Sequence, residues 1–98
     1  MVFFTLKDKS QEAIDRLCES AREHLSGHPG TVFFAVGTRT PDLDRDVNDR
    51  EFDVALQLVF QTRQDQDTYQ AAPRHQSFID ANKDNWAKVR VFDSDVSD

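Results

Sequence analysis

Apolar and polar positions along this chain alternate between two periods, and the switches between them mark out four strands and three helices. Residues 2–7 are mostly β-branched or aromatic, without Gly or Pro, and predict a strand with Val2, Phe4 and Leu6 on one face and Phe3 and Thr5 on the other. Ser10 then offers an N-cap, and Gln11 and Glu12 suit the positive end of a helix. Ile14, Leu17, Cys18, Ala21 and Leu25 form one apolar stripe at helical spacing, which ends at Ser26-Gly27, with Pro29-Gly30 preventing continuation.

Residues 31–37, Thr-Val-Phe-Phe-Ala-Val-Gly, predict a second strand with aromatic bulk on both faces. The polar stretch Thr38 to Glu51 is too long for a hairpin turn and reads as an ordered excursion or a flap. In the third strand, Phe52 to Gln61, the residues Phe52, Val54, Leu56, Leu58 and Phe60 share one face. Thr62-Arg63-Gln64-Asp65 is a capping-box pattern opening a short helix through Tyr69, and Pro73 forces its end. Pro73 also suits the first turn of a third helix, Arg74 to Trp86, with His75, Phe78, Ile79, Asn82 and Trp86 along its buried stripe. Residues 88–92, Lys-Val-Arg-Val-Phe, supply the last strand.

Strand, helix, strand, strand, helix pair, strand is the order of an α+β ferredoxin-like β-α-β-β-α-β unit with a four-stranded antiparallel sheet. Helices in such a unit cover one sheet face. Because the first two strands are apolar on both faces, a second copy packed sheet to sheet is expected, giving a homodimer with a barrel-like core.

Composition narrows the picture. The 98 residues form one domain, 1–98, of a size that buries only about 60 to 68 per cent of its unfolded surface, which again favours a partner. With 12 basic residues scattered among 18 acidic ones and a net charge of −6, nucleic acid is not the expected partner. The single cysteine, Cys18, excludes an internal disulfide framework. The apolar run at residues 2–6 is too short for a signal peptide or a membrane span, so the expected location is cytoplasmic.

Candidate chemistry gathers in Tyr69 to Phe78. A neutral imidazole can take a proton from carbon α to a carbonyl while a phenol donates to the enolate oxygen, so Tyr69 and His75 are the candidate catalytic pair, with no metal or cofactor required. The same two residues also suit plain packing, His75 in a first helical turn and Tyr69 as an aromatic wedge. Phe4, Phe34, Val54, Leu56, Leu58, Phe78 and Trp86 are candidate walls for a small apolar or aromatic ligand, and core packing accounts for them equally. Asp42, Asp44 and Asp46 are spaced like the start of a calcium loop, but Val47 stands where the sharp turn needs Gly, and interleaved Arg39, Arg45 and Arg50 favour a charge network. His24 and His28 have a metal-compatible spacing that Gly27 and Pro29 interrupt, and no third ligand is evident.

Three passages resemble the Dabb family of dimeric α/β-barrel domains, which includes plant stress-responsive proteins and olivetolic acid cyclase. They are Val2 to Lys7 with its Ser-capped helix, the third strand Phe52 to Phe60, and Tyr69-x-x-Ala-Pro-x-His-x-x-Phe78. The family pattern in the last is Tyr-x-x-His-Pro-x-His-x-x-Phe, so Ala72 replaces its first His, and a strand His of the cyclase falls at Val54. The resemblance implies a homodimer with face-to-face sheets and a cavity between sheet and helices. It also implies that Tyr69 and His75 occupy the positions of the cyclase's acid/base pair. The expected function is therefore a small-molecule-binding or structural module of the stress-responsive type, the alternative being a cofactor-free acid/base enzyme acting on a small carbonyl compound.

Overall fold

The computed structural model describes residues 1–97, so Asp98, the last residue of the expected 1–98 domain, lies outside the described residues. Its elements are β1 (Val2–Leu6), α1 (Gln11–Leu25), β2 (Thr31–Thr38), β3 (Val54–Phe60), α2 (Arg63–Ala71), α3 (Pro73–Asn82), a 3-10 turn (Lys83–Asn85) and β4 (Trp86–Val91). The strands form one antiparallel sheet in the order β2-β3-β1-β4, the α+β ferredoxin-like arrangement. With one helix layer on one sheet face, the molecule is only 17 Å through its thinnest direction.

Local backbone chemistry explains most of the boundaries. The Ser10 side chain accepts from the Ala13 amide and opens α1, and Gly27 at φ 74 supplies the left-handed residue just beyond its end. Thr62 accepts from the Asp65 amide at 3.1 Å and donates back to its carboxylate at 2.9 Å, opening α2. Ala72 is extended at ψ 141, as a residue before proline must be, and serves as both the end of α2 and the start of α3. The two helices thus meet at a corner rather than merging.

Most element ends lie within a residue of the sequence expectation, and three depart from it further or for a reason of their own. α2 runs to Ala71, two residues past Tyr69, because the restriction on the residue before proline first acts at Ala72. Trp86 begins β4 instead of ending α3. The Asn82 amide folds back onto the Phe78 carbonyl and reaches Ser20 Oγ, both at 2.8 Å, where α3 stops. Asn85 then takes the Lys7 amide at 2.8 Å and the Asp8 amide at 2.7 Å, registering Trp86 opposite Leu6. Phe52 also leaves its expected face. The strand proper starts at Val54, and in the preceding bend Asp53 donates to the Phe4 carbonyl at 2.8 Å and accepts from the Leu6 amide at 2.8 Å, while the Phe52 ring packs on Phe3.

The core lies between sheet and helices. Phe4, Leu6, Val54 and Leu56 from the central strands meet Leu17, Cys18, Ala21 and Leu25 of α1, Tyr69 of α2 and Phe78 of α3. The other sheet face is bare within this chain. Phe3, Ala35, Ala55 and Val59 lie half-buried on it, and Phe33 and Phe92 are 50% and 54% exposed. The long 39–53 connection is an ordered excursion tied by arginines: Arg39 donates to the Arg50 carbonyl at 2.7 Å, Arg50 pairs with Asp44 at 3.1 Å, and Arg90 of β4 pairs with Asp49.

Candidate functional site

Tyr69 is the centre of a four-ring cluster. Its ring meets His75 edge to face at 4.8 Å between centroids, His28 edge to face at 4.9 Å, and Phe60 at 4.9 Å with a 42° tilt. Each ring comes from a different element. Tyr69 lies in the last turn of α2, His75 lies in the first turn of α3 beyond the proline corner, Phe60 closes β3, and His28 sits in the turn before β2. The corner at Ala72-Pro73 brings Tyr69 and His75 together as expected from their spacing.

His28 is the member that sequence reasoning placed elsewhere. Its spacing from His24 is compatible with a metal pair, yet each of the two turns a ring nitrogen to a backbone carbonyl: His28 Nε2 lies 2.7 Å from the His24 carbonyl, and His24 Nδ1 lies 3.0 Å from that of Ser20. A carbonyl only accepts, so Nε2 of His28 carries a proton and, in the neutral ring, Nδ1 does not. The sequence signal for this placement is long-range. Thr31 pairs with Phe60 and the Gln61 amide donates to the Gly30 carbonyl at 2.8 Å, so the turn before β2 must adjoin the point where β3 gives way to α2.

Burial sets the protonation states. It pushes the Tyr69 phenol well above its ordinary value, so the hydroxyl is protonated throughout the neutral range. It also pulls His75 below its ordinary 6.5, with His28 adding to the effect, so the imidazole is uncharged at neutral pH. Tyr69 is only 6% exposed, while His75 is half-buried and forms the accessible side of the pair. Such a pair can donate a hydrogen bond from the phenol and accept a proton or hydrogen bond at the imidazole.

Among the wall candidates, Phe4, Val54, Leu56 and Phe78 are buried, and Phe34, Leu58 and Trp86 pack partly buried against them. The rings of Phe4, Phe78 and Trp86 form a triangle, with centroids 5.0 to 6.1 Å apart. Trp86 Nε1 is buried without a hydrogen-bond partner among the described residues, an orphan donor in an otherwise apolar wall. No group of three or more His, Cys, Asp or Glu arranged to hold a metal occurs among the described residues. No helix described is long and apolar enough to cross a membrane.

Comparison with known proteins supports one family. None of the curated proteins matches the chain. Among solved structures, At3g17210 from Arabidopsis thaliana superposes with a TM-score of 0.79 at 19% identity, covering 99% of this chain and 92% of that one. A dimeric ferredoxin-like protein of unknown function from Thermobifida fusca superposes with a TM-score of 0.72 at 14% identity, covering 91% of this chain and 80% of that one. At these identities the likeness is one of fold. The profile of the stress responsive A/B barrel domain, Dabb, matches residues 1–96, and the chain belongs to that family.

Proposed function

We propose that the chain works as a homodimer that binds a small apolar or aromatic molecule beside Tyr69 and His75. The observation that carries the binding reading is the pairing of a protonated phenol with an uncharged, half-buried imidazole at 4.8 Å, beside an apolar interior that also holds the orphan indole N–H of Trp86. A few polar fixtures in apolar surroundings are what orient a small ligand, and a carbonyl oxygen would satisfy the indole. The homodimer reading is supported by the bare aromatic sheet face and by the dimeric assembly of the Thermobifida fusca neighbour.

The protonation states favour a second reading, acid/base chemistry without a cofactor. In it, the unprotonated ring nitrogen of His75 takes a proton from carbon α to a ligand carbonyl. The electron pair moves onto the carbonyl oxygen, which accepts a hydrogen bond from the Tyr69 hydroxyl, and His75 returns the proton to carbon in the product.

Acetophenone tests both. Titrated into the protein, it should shift the ring resonances of Tyr69 and His75 saturably, and should do so less in Tyr69→Phe. Unchanged ring resonances across a panel of aromatic and acyl ketones would contradict the binding reading. Loss of methyl protons to deuterium in heavy water, catalysed by the protein and absent in His75→Ala, would support the second; binding without exchange would refute it.

A further inference from the structure

The bare sheet face is apolar along its middle with one exception. The register puts Phe33, Ala35 and Gly37 of β2, Ala55, Gln57 and Val59 of β3 and Phe3 of β1 on it, and among these Gln57 is the one polar side chain. It stands on an inner strand, opposite Ala35 and between Ala55 and Val59, and it is exposed within the chain. The charges of this face lie at its margins. Lys88 and Arg90 stand on the edge strand β4 opposite Thr5 and Phe3, and Arg90 is paired with Asp49 of the 39–53 excursion. Asp53, at the mouth of β3, is held by Lys9 and the Leu6 amide, both at 2.8 Å.

The homodimer proposed above would bury Gln57. A buried amide without partners costs free energy, so the covering surface has to supply both an acceptor and a donor. Among the side chains of the apolar middle, a second Gln57 alone offers both. One side-chain amide carries an acceptor oxygen and an NH2 donor, so two related by a twofold axis can bond each other in both directions. An isologous interface brings every residue on its axis against its own copy, which Lys88 or Arg90 would meet as like-charge repulsion. Reach agrees with this, because face-packed sheets lie about 10 Å apart and an extended glutamine spans roughly half of that gap. The neighbours Ala35, Gly37 and Ala55 are small, and a Cβ added at Gly37 would meet nothing within 4 Å, so the chain itself does not fill this space.

We propose that the twofold axis of the homodimer passes beside Gln57, whose amide pairs with the partner's Gln57 and fixes how the two sheets are set on each other. A single polar pair in an apolar interface selects one register among many that burial alone would allow. The inference rests on the homodimer reading and adds to it the place of the axis.

Two charge variants test it, by sedimentation equilibrium beside the wild type. Gln57 is exposed in the single chain, so Gln57→Glu and Gln57→Lys should both fold, which circular dichroism checks. Each alone sets two like charges in contact at the axis and should weaken the dimer by at least about a hundredfold. Mixed in equal amounts they should form a heterodimer within about tenfold of the wild-type affinity, because residue 57 of one chain meets residue 57 of the other. Gln57→Cys gives an independent reading. A bifunctional thiol reagent spanning about 5 Å should join two copies through it, the native Cys18 being buried. With a dimeric wild type, an equimolar mixture that stays monomeric, either charge variant dimerising as tightly as the wild type, or a dimeric Gln57→Cys that is not joined would overturn the place of the axis and leave the homodimer standing. A monomeric wild type would remove both.

Discussion

Tyr69 does two jobs that substitution can separate. Its ring fills the space among His28, Phe60 and His75, and its hydroxyl is the donor in the ligand binding proposed above. Tyr69→Phe keeps the ring and should change stability by no more than about 1 kcal/mol, while Tyr69→Ala should cost about 3 to 5 kcal/mol; urea denaturation reads both. His75 gives a pH signature. Its folded value lies below the ordinary 6.5, so between the two values the unfolded chain binds more protons than the folded one. The His75 contribution is therefore fully present above pH 6.5 and is lost as pH falls through that window. Urea midpoints of the wild type should drop more steeply below pH 6.5 than those of His75→Gln, and parallel curves would assign no such role to the imidazole.

At the scale of elements, the junctions written in local backbone rules were legible and those fixed by distant partners were not. Ser10 and Thr62 cap their helices, and Pro73 breaks α2 from α3, because a cap oxygen and a pyrrolidine ring act within a few residues. The Tyr69–His75 pairing was readable for the same reason. The entry of Trp86 into β4 depends on Asn85 holding Lys7 and Asp8, some 77 residues away in sequence, and the turning of Phe52 depends on Asp53 bonding β1. His28 joined the cluster through the β2–β3 register, which no local spacing contains. Two glycines test the turn into β2. Gly27 and Gly30 have φ of 74 and 81, so alanine at either costs roughly 1 to 2 kcal/mol of backbone strain. At Gly27 a new Cβ would meet nothing within 4 Å, whereas at Gly30 it would collide with the Asp65 carboxylate that accepts from the Thr62 cap. Gly30→Ala should therefore be the more destabilising in thermal denaturation, and equal losses would show that the Thr62–Asp65 cap yields freely.

At the scale of the molecule, the helix-covered face is complete and the opposite face is not. Leu25, Val54 and Leu6 are at most 1% exposed, and Leu25→Ala should cost about 2 to 5 kcal/mol by leaving a cavity between α1 and the sheet. The other face presents Phe3, Phe33, Phe52 and Phe92 around half-buried Ala55 and Val59, an aromatic surface that the proposed second copy would cover. That expectation arose from strands apolar on both sides, and the register places those side chains on the bare face. The direct test is sedimentation equilibrium at micromolar concentration on the wild type and on Phe33→Glu, which puts a charge in the middle of that surface without touching the helix-side core. The account predicts twice the 11.3 kDa chain mass for the wild type and a folded monomer for the variant. A wild type that stays at the single-chain mass, or a variant that dimerises as tightly, would contradict it.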